Sequence, residues 1–60
     1  MSSKFEVNKD VSGEFRFKLV AGNNQTICVS QGYTSKDNAM KGIASVKEHA
    51  AKAVIEDRTV

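Results

Sequence analysis

Few side chains in this sequence could carry out chemistry, and their spacing keeps them apart. Cys28 is the only cysteine and His49 the only histidine. A nucleophilic thiol needs a neighbouring base or cation, yet Cys28 stands between Ile27 and Val29, the surroundings of a structural thiol. His49 falls late in a helical stretch, where an imidazolium favours the helix dipole. One Cys and one His cannot close a zinc site within a chain. Glu56 and Asp57 are adjacent in an extended segment, so they point to opposite faces instead of sharing a cation. No serine sits in a G-x-S-x-G elbow, and no glycine pattern makes a phosphate loop. Catalysis by one chain is therefore not expected, nor is a cofactor or a metal. An enzyme built on this sequence would need a site assembled across two chains.

Two sets of residues could bind. Arg16 and Lys18 share one side of an alternating segment, with Lys4 as a neighbour, so a sheet could present them to a polyanion. The acids Glu6 and Glu14 fall on that same side, while Phe15 and Phe17 point the other way and offer no stacking platform. Nucleic-acid binding is thus a subordinate reading. Tyr33, Ser35 and Lys36 cluster where a strand passes into a helix, a position suited to a ligand or protein partner. The competing role for Tyr33 is packing over the sheet end, and for Ser35 capping the helix.

The elements that place these residues follow from periodicity. Lys4–Asn8, Glu14–Val20 and Thr26–Ser30 alternate with period two and read as three antiparallel strands. Phe5, Val7, Phe15, Phe17 and Leu19 fall on one face, and Ile27 and Val29 are expected to join it, with Cys28 opposite. "KDVSG" (Lys9–Gly13) and "AGNNQ" (Ala21–Gln25) supply the turns; Asn23 and Asn24 tolerate positive φ better than most residues. Thr34 or Ser35 can cap a helix that runs from Lys36 to about Ala51, with Asp37 in its first turn. Ala39, Ile43, Val46 and Ala50 form its sheet-facing stripe. The β-branched "AVIED" beginning at Ala53 suits a fourth strand, which must find an edge of its own sheet or of a partner's.

Sixty residues allow one domain over 1–60, with Met1–Ser3 expected to be disordered. Hydrophobic residues make up 40% and charged ones 27%, as in a folded globular chain. Nine basic and seven acidic residues are interleaved, and the net charge of +2 is too small to imply a polyanion partner. No apolar run exceeds three residues, so neither a signal segment nor a membrane span is expected. A lone thiol fits a reducing, cytoplasmic setting. A core this small is marginal by itself. With no disulfide and no zinc to reinforce it, association with a second copy is the remaining remedy.

The helix carries a further sign. Gly42 lies near its middle, where glycine costs on the order of 1 kcal/mol relative to alanine. Asn38, Gly42, Ser45 and His49 line one flank, a shallow groove that another backbone could approach. Alternatively, Gly42 clears room for a bulky Phe of the same sheet. Met40, Ala44 and Ala51 widen the apolar arc beyond the ~100° stripe that one sheet requires.

At "KFEVNKD", "GEFRFKL", "QTI", "SQGYTSK", "GIASVK" and "IED" the chain resembles the YegP-like family, from Phe5 to about Thr59. It departs from the family's usual Asn-Gly at Asn23-Asn24, and from a frequent proline at Ala51. The resemblance implies an α+β unit of order β-β-β-α-β, a three-stranded meander with one helix packed on it. It further implies that two units join into one continuous sheet and exchange their C-terminal strands, here as a homodimer because the chain holds a single unit. Met40, Gly42, Ala44, Ala53 and Ile55 are then the candidate interface, with Ile55 pairing against the partner. No biochemical activity comes with the resemblance.

Overall fold

The computed structural model describes residues 2–59. Strands β1 (Lys4–Lys9), β2 (Phe15–Val20) and β3 (Thr26–Val29) precede one helix, α1 (Lys36–Ala50). The strands make one antiparallel sheet in sequence order, with β2 at its centre. The fold is a small α+β unit of order β-β-β-α.

Both turns are built alike. Asp10 N–H donates to the Glu14 carbonyl and Gly13 N–H to the Asp10 carbonyl, at 2.8 and 3.0 Å. Ala21 N–H donates to Gln25 and Asn24 N–H to Ala21, both at 2.8 Å. A three-residue hairpin loop of this kind ends on a left-handed residue. Gly13 (φ 87°) and Asn24 (φ 69°) fill that position, and Asn23 keeps negative φ.

Register explains which side chains meet. Phe5 lies across from Leu19 and Val7 across from Phe17, so these four share the helix side of the sheet. Phe5 and Phe17 meet edge to face with centroids 6.0 Å apart. At the strand end the Lys9 ammonium lies 5.5 Å from the Phe15 ring centroid, a cation–π contact.

Ser35 is the N-cap of α1: its hydroxyl accepts from Asn38 N–H at 3.1 Å. Asp37 stands in the first turn, and Lys47 and His49 in the last, matching the helix dipole at both ends. The helix packs on β2. Ala39 and Ile43 are buried and Val46 half-buried, but Ala50 is exposed. No glycine ends the helix; Lys52 and Ala53 N–H groups both donate to the His49 carbonyl, at 3.0 and 2.9 Å.

Three expectations need correction or completion. First, β3 carries its side chains the other way round. Cys28 lies across from Leu19 and Val29 across from Lys18, which puts Cys28 on the helix side and Val29 on the outer side. A register shift at Leu19/Val20 leaves Ile27 unpaired, so alternation counted from Ile27 comes out one residue wrong. All four β3 residues are exposed. Second, the core consists of Phe17, Val20, Ala39 and Ile43. Val20 lies outside the alternating set, at the point where the register shifts. Third, no fourth strand is present among the described residues: residues 53–59 are irregular and exposed. Met1 lies outside the described residues; Ser2 and Ser3 are exposed and without regular structure.

Candidate functional site

The outer face of the sheet is a lattice of paired charges. Arg16 Nε donates to Asp10 Oδ2 at 2.8 Å, and Nη1 donates to the Ser30 carbonyl at 3.2 Å. Its Nη2 lies 3.8 Å from Glu14 Oε1. The other Asp10 oxygen accepts from Ser12 N–H, the Ser12 hydroxyl and Glu14 N–H, at 3.0, 2.8 and 2.9 Å. Ser30 Oγ accepts from Phe17 N–H at 2.9 Å and donates to the Gln31 carbonyl at 2.7 Å. Asp10 thus ties the first turn to β2, and Arg16 ties β2 to the end of β3. Nearer the other end, Glu6 bridges Lys4 at 3.0 Å and Lys18 at 3.6 Å.

These contacts set the charge states. The Arg16 hydrogen bond, then those from Ser12 and the Glu14 N–H, hold the Asp10 carboxyl well below the usual carboxylate range. Asp10 in turn raises the Arg16 guanidinium. The hydrogen bond from Lys4, aided by the charge of Lys18, lowers Glu6. A shallow depression of about 190 Å³ opens here, lined by Asn8, Asp10, Arg16, Phe17, Lys18 and Val29. A phosphate entering it would have to displace Asp10 from Arg16 or Glu6 from Lys18, so the basic pair is already engaged.

Tyr33 lies on the other side of the sheet. Its backbone pairs with Phe15 through two 2.8 Å hydrogen bonds. Its ring stacks on Phe17 with centroids 6.0 Å apart and planes 16° apart. The ring also accounts for Gly42: a Cβ there would stand 2.5 Å from Tyr33 Oη and 3.0 Å from Phe17 Cε2. The close approach that glycine permits is therefore made within the chain, chiefly to Tyr33.

The candidate binding residues accordingly do not form one site. Arg16 and Lys18 face outward, Tyr33 lies under the helix, Ser35 is used as a cap, and Lys36 is exposed at the start of α1. Among the candidate interface residues Gly42 turns inward, whereas Met40, Ala44, Ala53 and Ile55 are exposed. Asp10 and Ser30, which hold this network together, lie outside the candidate binding residues of the sequence. Asp-x-Ser-Gly is an Asx-turn signal, and pairing of Asn8 with Arg16 makes Asp10 a diagonal neighbour of that arginine. Ser30 had no comparable signal.

Among the described residues no group of three or more His, Cys, Asp or Glu could hold a metal ion. No helix among them is long and apolar enough to cross a membrane.

Comparison with known proteins gives a consistent result. The family model "Domain of unknown function (DUF1508)" matches residues 10–57. A "UPF0339 protein" of Methanosarcina acetivorans is 57% identical over 53 residues, covering 88% of this chain and 91% of that protein. The "UPF0339 protein YegP" of Escherichia coli K12 is 50% identical over 50 residues, covering 83% of this chain but 46% of its own length. A protein from Haloferax volcanii, solved in solution by NMR, superimposes with a TM-score of 0.86 at 35% identity. That match covers 93% of this chain and 95% of the other.

Proposed function

The chain belongs to the DUF1508 family, and from that premise we propose that it is a non-catalytic homodimeric module whose C-terminal segment is exchanged between subunits. The observation that carries this reading is surface left uncovered. The chain exposes 4986 Å², whereas a folded monomer of 6.5 kDa exposes about 3,800 Å². The excess, roughly 1,200 Å², exceeds the ~800 Å² that each partner contributes to an ordinary interface. The Cα radius of gyration is 13.1 Å, against about 10 Å for a compact chain of this length.

Much of that excess sits in residues 53–59, where Val54 and Ile55 are 87% and 96% exposed. After Gly42 there is neither glycine nor proline, so no ready turn folds the segment back on its own sheet. The E. coli relative, about twice as long, has room in one chain for the two units that a homodimer would bring together.

Sedimentation equilibrium at micromolar concentration tests the proposal: a dimer is expected, and a folded monomer overturns it. Deleting residues 53–60 should abolish association and lower the melting temperature. A truncated chain that stays dimeric with its melting temperature unchanged would rule out exchange.

A further inference from the structure

Between β3 and α1 the chain passes through a bulge, and an arginine on the outer face of the sheet holds it in place. We propose that Arg16 is the strap of a one-residue register switch in this connector, residues 30–35, and that the strap keeps Tyr33 under the helix. The inference does not depend on self-association.

The bulge shows in the pairing. Ser30 N–H donates to the Phe17 carbonyl at 2.8 Å, and Phe15 and Tyr33 exchange two bonds of the same length. A regular ladder continued from Ser30 and Phe17 sets Gly32, not Tyr33, opposite Phe15. One extra residue therefore lies between the two pairs, and it changes the face on which Tyr33 emerges. Val29 faces outward across from Lys18, so unbroken alternation would turn Tyr33 outward as well. The bulge instead delivers its ring onto Phe17 and against Gly42.

Polar groups hold that arrangement. In a regular ladder the Phe17 N–H would donate to the Ser30 carbonyl. Here the Ser30 hydroxyl accepts it at 2.9 Å. The carbonyl then needs another donor, and Arg16 Nη1 supplies one at 3.2 Å. Nε is fixed by Asp10 at 2.8 Å and Nη2 lies 3.8 Å from Glu14, so all three guanidinium nitrogens are engaged. Gly32 passes beneath them. A Cβ there would collide with the Glu14 carboxylate and stand 3.3 Å from Arg16 Nη2. Withdrawing the guanidinium lets the Ser30 carbonyl take the Phe17 N–H back. The regular register follows, with Gly32 opposite Phe15 and Tyr33 turned outward. An event on one face of the sheet is thus transmitted to the other.

Amide hydrogen exchange of the full chain, followed by NMR, tests the switch. Arg16→Lys keeps the charge but cannot span three partners. Tyr33 N–H should exchange at least about tenfold faster, Phe15 N–H should stay within about twofold, and Gly32 N–H should gain protection. Tyr33 is the only tyrosine, and its ring should lose NOE intensity to Gly42. Gly32→Ala pushes against the strap without altering any charge and should free Tyr33 N–H in the same way. Lys18→Gln removes a charge from the same face and should move none of these amides. If Tyr33 and Phe15 quicken together, or residue 32 gains nothing in Arg16→Lys, the connector frays without slipping and the switch is overturned. Unchanged Tyr33 protection in either Arg16→Lys or Gly32→Ala overturns the strap, as does an equal response in Lys18→Gln.

Discussion

The first hairpin and the C-terminal half of this chain solve the same problem in opposite ways. In the hairpin of β1 and β2, most charged groups have a partner close at hand. Asp10 collects three donors from its own turn and a fourth from Arg16, and the outer face is laced by Glu6. Beyond β2 the pattern stops: β3 is uncharged and exposed, the last turn of α1 is exposed, and residues 53–59 touch nothing that buries them. On the proposed self-association, stability is local in the first region and comes from a second copy in the other. Four buried apolar residues form a thin core, and a large apolar side chain contributes about 1.5–3 kcal/mol on full burial.

The sharpest way to break this contrast is to change the charge in each half. Ile55→Asp should raise the dimer dissociation constant at least about 100-fold, because two copies of an apolar anchor are lost per dimer. Lys4→Ala on β1 should leave it within about twofold, as surface pairs contribute little. Analytical ultracentrifugation over a dilution series measures both; equal effects would erase the distinction between the halves.

Acid comes next and acts on the hairpin. Since the folded chain holds Asp10 below its ordinary value, the unfolded chain takes up the proton first as the pH falls. The stability from Asp10 is therefore whole at neutral pH and drains away below about pH 4. Glu6 and Asp57, lowered in the same sense, add to this slope. Thermal melts from pH 2 to 7 should show the decline, and Asp10→Asn should flatten it while lowering the neutral-pH melting temperature. An unchanged slope in that variant would mean that the Asp10 network contributes nothing.

Gly42 offers a smaller and more selective test. Alanine there gains helix propensity, yet its Cβ must displace the Tyr33 ring. Gly42→Ala should destabilise by about 1 kcal/mol, and in a Tyr33→Ala background the same change should stabilise by about 1 kcal/mol. Urea unfolding of the four chains reads the coupling. If the two effects simply add, the glycine serves some contact other than Tyr33.

The smallest effect compares the two turns. Gly13 and Asn24 occupy equivalent left-handed positions, and glycine meets no Cβ penalty there. Asn24→Gly should stabilise by about 0.5 kcal/mol in the same urea assay, partly offset by the freer unfolded chain. A loss of stability would show that the Asn24 side chain contributes more than its backbone conformation costs.

Much of this architecture was legible in the residues. Alternation in Lys4–Asn8 and Glu14–Val20 is strong because one face carries aromatics and the other charges, so the strands emerge within a residue of their observed ends. Ser35 before Asp37, and Ala39, Ile43 and Val46 at helical spacing, located α1 equally well. The binding residues were less legible. Arg16 and Lys18 could be placed outward by parity, with Glu6 and Glu14 beside them, but not the bond from Arg16 to Asp10.

What the sequence determined by itself was each element and its period, since local sterics and side-chain alternation act over a few residues. Tertiary structure alone decided the rest. A one-residue register shift beside Val20 reversed the faces of β3, and a tyrosine nine positions away supplied the reason for Gly42. Both depend on how distant segments slide against one another, and no local pattern encodes that offset.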